Sequence, residues 1–418
     1  MHPARSSIHI ALFAVLMLPG AARGADPLRA EQWNLDMIHA DQAHEVSIGT
    51  GAVVAVLDSG VDASHPDLAG QLILGPDLVD GDDSPDDENG HGTNVAGIIA
   101  ARAGNGKGIE GAAPGAKVLV IRVLDARNNG NTDVEAAGID AAVARGAHVI
   151  SISINPSASV VTQLLPSDRL VQAIERAARA GVVIVASAGN EGLPLCSQPL
   201  LTSKILCVGA VNRAGKRPSY SNYLLRVDIA APGGEPRSDE DILSTGPGGV
   251  YFGLAGTSQA TPHVAAAAAL LVSLGLRGTA VIDRLEQTAT ASGELLDFGH
   301  GLLNMQAAVG GLGPTLPPTT TLQARTSMRL RQASVRRRGV PVVCTSTVAG
   351  TCRVRVLNRD VLIAKGSSAV AADVATKVRA RLTAAGRRAV RRSRRVGARI
   401  EVTGPGPDAV MLTTALVR

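Results

Sequence analysis

The stretch Gly256-Thr257-Ser258-Gln259-Ala260-Thr261-Pro262-His263-Val264 constrains this chain most, because it runs straight into the alanine-rich apolar segment Val264 to Leu274. A helix that is apolar on every side has to be covered on every side, so this segment demands a layered fold around it. It is too short to cross about 30 Å of hydrocarbon and reads as a core helix. Pro262, inside the helix start, should distort the first turns. Ser258 then falls in the first turn of a buried helix. Helix N-termini carry partial positive charge and unpaired backbone N–H groups, which suit a developing oxyanion. A serine hydroxyl alone is a weak nucleophile, so it needs a base and a group to orient that base.

Two earlier stretches offer these. Ala52 to Leu57 is a continuous apolar run ending in Asp58-Ser59-Gly60. It predicts a buried parallel strand with a carboxylate at its carboxyl end, where ligand and catalytic groups collect in open α/β sheets. Asn89-Gly90-His91-Gly92-Thr93 opens a predicted helix reaching about Ala101, with His91 as the candidate general base. Further along come a strand over Val118–Leu124, a loop at 128–131, a helix over Asp133–Ala144 and a strand over Val149–Asn155. A helix over Leu170–Ala180 follows, then strands over Val182–Ala186 and Ile205–Val211. That rhythm predicts an α/β domain with a mostly parallel central sheet and helices on both faces. The string Ser187-Ala188-Gly189-Asn190 closes one strand, and the Asn190 carboxamide is a candidate oxyanion donor. Read singly, Asp58 is equally a turn aspartate, His91 a buried structural histidine and Asn190 a turn asparagine.

Together, the four strings and the order Asp58, His91, Ser258 resemble those of the subtilisin-like serine proteases, over roughly Asp26 to Val309. The resemblance implies a serine endopeptidase with Asp58, His91 and Ser258 as catalytic triad and Asn190 in the oxyanion hole. It sets Ser153, Ile154 and Asn155 along one edge of the substrate, Asn129, Gly130 and Asn131 along the other, and Ser187, Ala188 and Gly189 beside them. An edge strand binds an extended peptide through main-chain hydrogen bonds, which suits tolerance of many sequences. Asn155 stands where the family usually has glycine, and a side chain there narrows the main specificity pocket, so no preferred residue is assigned. Gln259 replaces the methionine that commonly follows the nucleophile. Methionine is oxidisable, so residual activity after peroxide should exceed that of methionine-bearing relatives.

Structural calcium is expected for two reasons. The run Asn105-Gly106-Lys107-Gly108-Ile109 is similar to the family's tight calcium loop, with Asp67 and Asn105 giving side-chain oxygens and Lys107 and Ile109 giving carbonyls. The run Asn105 to Pro114 lacks the Gly-Lys-Ser/Thr ending of a phosphate loop. The segment with Asp77, Asp80, Asp82, Asp83, Asp86, Asp87 and Glu88 packs carboxylates that repel unless solvated or bridged by a hard cation. Its likeness to the thermitase-like branch makes Asp77, Asp80, Asp82 and Asp86 the ligands; a solvated acidic loop is the alternative.

The termini frame this body. Arg5, the apolar run Ile8 to Leu18 and Ala22-Arg23-Gly24 read as a secretory signal over 1–24. The expectation is a secreted monomer with no membrane span. Only residues 25–57 separate that cleavage site from Asp58, which leaves no room for the family's folding prodomain. Either the enzyme folds without one or something else restrains it. Four cysteines fit export, and pairing Cys196 with Cys207 and Cys344 with Cys352 is the simplest of three connectivities, against four free thiols. The catalytic domain is placed at 25–312 and a Pro/Thr-rich linker at 313–321. A small β-rich module, immunoglobulin-like, is placed at 322–418, with strands over Val340–Cys344, Cys352–Leu357, Val374–Leu382 and Arg399–Thr403 and one basic helix over 383–395.

Charge divides sharply between the two parts. Residues from Leu322 to Arg418 hold 21 of the 41 Lys and Arg but 4 of the 36 Asp and Glu, a balance of +17 against −12 for the rest. The module has no aromatic residue on which bases could stack, which argues against nucleic acid. An anionic cell envelope, or the acidic body itself, is the expected electrostatic partner, with a merely solvated basic face as the alternative. Peptides or proteins are the expected substrates. A silent scaffold used for surface binding is the rival reading, and acyl transfer to non-peptide substrates is a third.

Overall fold

The computed structural model describes residues 26–154, 167–197, 204–236, 239–292 and 295–312. It also describes 322–417 apart from short gaps at 327–328, 347–349, 360, 371–375, 394 and 404–408. The expected signal segment, Asn155 and the expected linker lie outside the described residues. These divide between two compact units that meet at Gly313/Pro314.

In the first unit seven strands form one sheet: β1 (Val53–Asp58), β2 (Leu72–Asp77), β3 (Lys117–Arg122), β4 (Val149–Ile152), β5 (Val183–Ser187), β6 (Ile205–Val211) and β7 (Ile229–Pro232). Their order is β2-β3-β1-β4-β5-β6-β7 and every pairing is parallel. Parallel strands are covered on both faces, which explains their near-continuous apolar runs. The period of two splits each run between two cores. Val54, Val56, Val118 and Val120 face one way, toward helices α1 (His91–Ala100) and α4 (Thr257–Ser273). Ala55, Leu57, Leu119 and Ile121 face the other, toward α2 (Thr132–Ala144) and α3 (Asp168–Arg179). Helix α4 has all of Thr257 to Val272 buried, as its apolar sequence requires. A hairpin of β8 (Ile242–Gly246) and β9 (Val250–Leu254), not anticipated from sequence, precedes it.

Strand β1 sits between β3 and β4, with β2 and β3 on one side and β4 to β7 on the other. The winding reverses there, so the crevice beyond the carboxyl ends of β1 and β4 is where such a fold places chemistry. Strand β4 stops at Ile152, three residues before the predicted end. The Cys196–Cys207 bond forms in this unit, as the simplest pairing expects. Among the described residues no helix is long and apolar enough to cross a membrane.

The second unit is β-rich and held by a second local bond, Cys344–Cys352. Its strands are β10 (Leu322–Arg325), β11 (Arg329–Arg331), β12 (Val340–Ser346), β13 (Gly350–Asn358), β14 (Val361–Val370), β15 (Thr376–Leu382), β16 (Arg395–Thr403) and β17 (Ala409–Val417). They run in the order β10-β12-β15-β14-β13-β16-β17-β11. Among the described residues two helices, not one, accompany them: α5 (Gln332–Arg338) and the expected basic helix α6 (Ala384–Arg392). The core is Val and Ile from alternating positions, such as Val354, Val356, Val378, Ile400 and Val402, around the buried cystine.

Candidate active site

Asp58 ends β1 with 1% of its surface exposed. Its Oδ1 accepts from the Ser59 N–H at 2.8 Å and from His91 Nδ1 at 2.8 Å. Its Oδ2 is buried without a partner among the described residues, so the carboxylate's charge is answered mainly by the imidazole. That contact fixes the His91 tautomer, with Nδ1 protonated and Nε2 free to accept a proton. Burial pulls the His91 pKa down, but the Asp58 charge and hydrogen bond outweigh it and hold the imidazole above its ordinary value.

The first turn of α1 is fastened to β1 by residues that sequence analysis counted only as loop acids or neighbours. Asp87 Oδ1 accepts from Gly90 N at 2.7 Å and Ser59 Oγ at 2.8 Å, and its Oδ2 from Thr93 N at 2.8 Å and Thr93 Oγ1 at 2.5 Å. Ser59 Oγ in turn accepts from Gly92 N at 3.0 Å. Burial raises the Asp87 pKa, yet these donors together leave it below the usual carboxylate range. A side chain at Gly92 would strike the Gly60 carbonyl, so glycine is what lets α1 approach β1.

Ser258 follows the helix start at Thr257. Proline at 262 has no N–H to give the Ser258 carbonyl four residues back. That carbonyl instead accepts from Ser153 Oγ at 2.9 Å, while Ser258 Oγ donates to the Ser153 carbonyl at 3.1 Å. The helix therefore continues through Pro262, and the predicted distortion appears as this exchange of partners. One turn on, His263 Nδ1 meets the Gln259 carbonyl at 2.9 Å and its Nε2 meets Asn34 Nδ2 at 2.8 Å. Burial pushes its pKa down to about 4, so this second histidine stays neutral and structural.

Asn190 is exposed, three residues past the end of β5. Its Oδ1 accepts from Thr257 N and Thr257 Oγ1, each at 2.9 Å. Both bonds fall on the oxygen, which assigns the amide orientation and leaves Nδ2 without a hydrogen-bond partner among the described residues, next to Gly256 at the head of α4. Of the expected substrate edges, Gly130, Asn131 and Ile154 meet around one small pocket with Val123, Leu124, Thr132 and Glu135. Asn129 borders the adjoining surface with Asn131. Ser187 Oγ donates to the Ile154 carbonyl at 3.2 Å, and Gly189 N to Thr257 Oγ1 at 3.2 Å, so the Ser187–Gly189 segment ties the Ile154 edge to the helix.

Glu135 was not foreseen, because it occupies a core-facing position of α2. It is 5% exposed, and its carboxyl has no hydrogen-bond or ion-pair partner among the described residues. Burial raises its pKa from 4.5 to about 7. The folded state thus holds a proton that the unfolded chain has released between those two values, so stability falls as pH rises through that window and is flat above it. The expected loss is roughly 3 kcal/mol. Denaturant melts at pH 5 and pH 8, in a Ser258→Ala background to prevent self-digestion, should show most of this difference and its disappearance in Glu135→Leu.

The metal candidates divide. Asp67 is fully buried; its Oδ1 accepts from Asn105 Nδ2 at 2.6 Å and its Oδ2 from Ile109 N at 2.9 Å and Tyr251 OH at 3.2 Å. Asp26, unforeseen, accepts from the N–H groups of Gly104, Asn105 and Gly106 on the same loop. Burial and the Asp26 charge both raise the Asp67 pKa. In the acidic segment, Asp77, Asp80 and Glu88 converge on buried Arg122 at 2.8, 2.7 and 2.8 Å. Asp82 and Asp86 turn instead to Ser84. Among the described residues no three His, Cys, Asp or Glu stand as a ready metal cluster.

A sequence profile described as the subtilase family matches residues 49–301. This chain belongs to the subtilase family. Thermitase from Thermoactinomyces vulgaris is 39% identical over 281 residues, spanning 67% of this chain and 96% of thermitase. Subtilisin Savinase from Lederbergia lenta is 39% identical over 280 residues, 66% of this chain and 97% of that protein. Among solved structures, a protease from Pseudoalteromonas arctica matches with a TM-score of 0.63 at 30% identity, covering 70% of this chain and all of that one. This subtilase is accordingly a serine endopeptidase that hydrolyses peptide bonds, and its substrates are peptides or proteins.

Proposed function

We propose that Ser258 attacks the scissile carbonyl, that His91 takes its proton and returns it to the leaving amine, and that Asp58 orients His91 and stabilises the imidazolium. The oxyanion is received by Asn190 Nδ2 and the Ser258 N–H. The observation that carries this reading is the 2.8 Å contact from buried Asp58 to His91, at the carboxyl end of the strand beside β4. The peptide lies between the 129–131 segment and the 153–155 segment, and Ser187 to Gly189 form the wall beneath it. A fluorophosphonate probe read by intact mass tests the assignment. One adduct is expected on the folded protein and none on Ser258→Ala; no adduct on the folded parent would overturn it. Faster turnover of esters than of any peptide would favour acyl transfer to other substrates.

A structural calcium ion is proposed at the loop bearing Asp67, Asn105, Lys107 and Ile109. Two carboxylates, Asp26 and Asp67, flank this loop and repel each other. The Lys107 and Ile109 carbonyls accept no hydrogen bond among the described residues. Oxygen-only donors of this kind fit a hard cation. The second proposed ion, at Asp77, Asp80, Asp82 and Asp86, has Arg122 already answering the first two. A chelator should lower the melting temperature of the Ser258→Ala protein, and added calcium should restore it. An unchanged melting temperature would remove both ions from the account.

The remaining assignments are a signal over 1–24, secretion as a monomer, a catalytic domain over 25–312, a linker over 313–321 and an immunoglobulin-like sandwich over 322–418. The basic module's opposite charge to an anionic cell envelope supports contact with it.

A further inference from the structure

The second unit carries a groove of about 1090 Å³ whose charged lining is entirely cationic. Three elements build it. On β15, Lys377, Arg379 and Arg381 point outward while Val378 and Ala380 between them are buried. Alternate residues of a strand are about 6.7 Å apart, so these three form a regular row of charge. Arg336, Arg337 and Arg338, all exposed, close α5 on one side. Arg387 and Arg391, one helical turn apart on α6, close the other.

None of these eight cations has a carboxylate within ion-pair distance among the described residues, where the ion pairs of this unit involve Glu401. The hydrogen bonds they make go to backbone carbonyls: Arg336 to Val390, Arg387 to Leu382 and Arg379 to Arg338. Such bonds hold the side chains in place but leave the charge uncancelled. The sheet adds to the imbalance, since Lys365 lies directly opposite Arg381, a like-charge pair that destabilises an empty sheet. The last turn of α5 favours cations through the helix dipole, but that accounts for none of the β15 row.

We infer that this groove binds a linear, phosphate-bearing polyanion. Eight cations spread along an open groove exceed what a single small anion can use, while the repeat on β15 suits a chain with regularly spaced charges. Seven of the eight are arginine, whose planar fork takes phosphate oxygens two at a time. The unit has no aromatic side chain for base stacking, so recognition runs through the phosphates alone and disregards any bases attached. This deepens the proposed envelope contact by naming its site and chemistry, and it does not depend on the catalytic assignment.

The test uses full-length Ser258→Ala protein and fluorescently labelled inorganic polyphosphate, followed by anisotropy over a salt series. The parent should bind, with log affinity falling linearly against log salt at roughly −0.7 per phosphate contacted. Arg379→Glu with Arg381→Glu should weaken binding by at least roughly 30-fold, taking the usual worth of two cations facing an anionic surface. Arg353→Glu with Arg359→Glu makes the same net charge change outside the groove and should cost under about threefold on that scale. Arg379→Gln with Arg381→Gln, a milder change, should give an intermediate loss. Equal loss in both glutamate pairs would reduce the effect to net charge and overturn the inference. Inorganic phosphate binding as tightly as the polymer, polyglutamate matching it, or single-stranded oligonucleotide exceeding it at equal charge would each overturn it too. The same pairs in the active chain should hydrolyse a small peptide at the parental rate, so failure of the groove is distinguishable from failure of the catalytic reading.

Discussion

Ser258→Ala should lower kcat on a peptide amide roughly a millionfold, a size set by subtilisin's own triad, and His91→Ala should cost nearly as much. The double variant should be no slower than either single one. On the proposed mechanism, attack by the Ser258 oxygen and proton capture by His91 Nε2 are one event, so losing either group voids the other's contribution. Asp58→Ala should cost less, because His91 keeps its place at the head of α1 through the Asp87 and Ser59 network. Its effect should appear in the pH profile. The base form of His91 is lost as pH falls through its pKa, and Asp58 holds that pKa up. Asp58→Asn should therefore move the acidic limb of the kcat/KM profile to lower pH while reducing its plateau. Additive losses in the Ser258/His91 pair, or an acidic limb unmoved by Asp58→Asn, would contradict this arrangement.

Asn190→Leu should reduce kcat by roughly 10² to 10³, about 3–4 kcal/mol, again the scale of subtilisin's own donor, with KM changing by only a few fold. The amide gives its oxygen to Thr257, and in the proposed mechanism its N–H serves the negative charge that exists only during reaction. A donor used only in the transition state lowers kcat when lost and leaves ground-state binding alone. Asn190→Asp keeps an acceptor for Thr257 but removes the donor and adds like charge, so it should be at least as slow. Steady-state kinetics on a chromogenic peptide, with melting temperatures as a folding control, measure both. A loss under tenfold would place the main oxyanion donor elsewhere.

What could be read from the sequence followed a clear division. Asp58, His91, Ser258 and Asn190 each sit in a short string that also specifies its local backbone, so residue and position came together. The alternation of apolar runs with helical segments carried the parallel sheet as well. Asp26, Asp87 and Glu135 were not legible as site residues, and Ser153 was legible as a substrate edge but not as the partner of Ser258. Their roles arise from contacts with distant segments: Asp26 with the loop at 104–106, and Ser153 with Ser258, 105 residues on. Arg122 was hidden similarly, because nothing local ties a strand arginine to Asp77, Asp80 and Glu88. In the second unit, strand β14 passed unnoticed because its polar outer half, Lys365 to Ser368, breaks the apolar signal. Helix α5 lies in a basic run that patterning does not separate from loop.

The exchange of partners around Pro262 has a mechanical meaning. In an uninterrupted helix the nucleophile's carbonyl would be tethered to the turn above it and would follow that turn's movements. Here it is tethered to Ser153, just past the end of β4. Asp58 ends β1, the strand paired with β4, so the proposed nucleophile and its proposed orienting acid are both anchored at neighbouring strands of one sheet. On the proposed mechanism, the separation of Ser258 and Asp58 is then set by sheet hydrogen bonds as well as by the packing of α4.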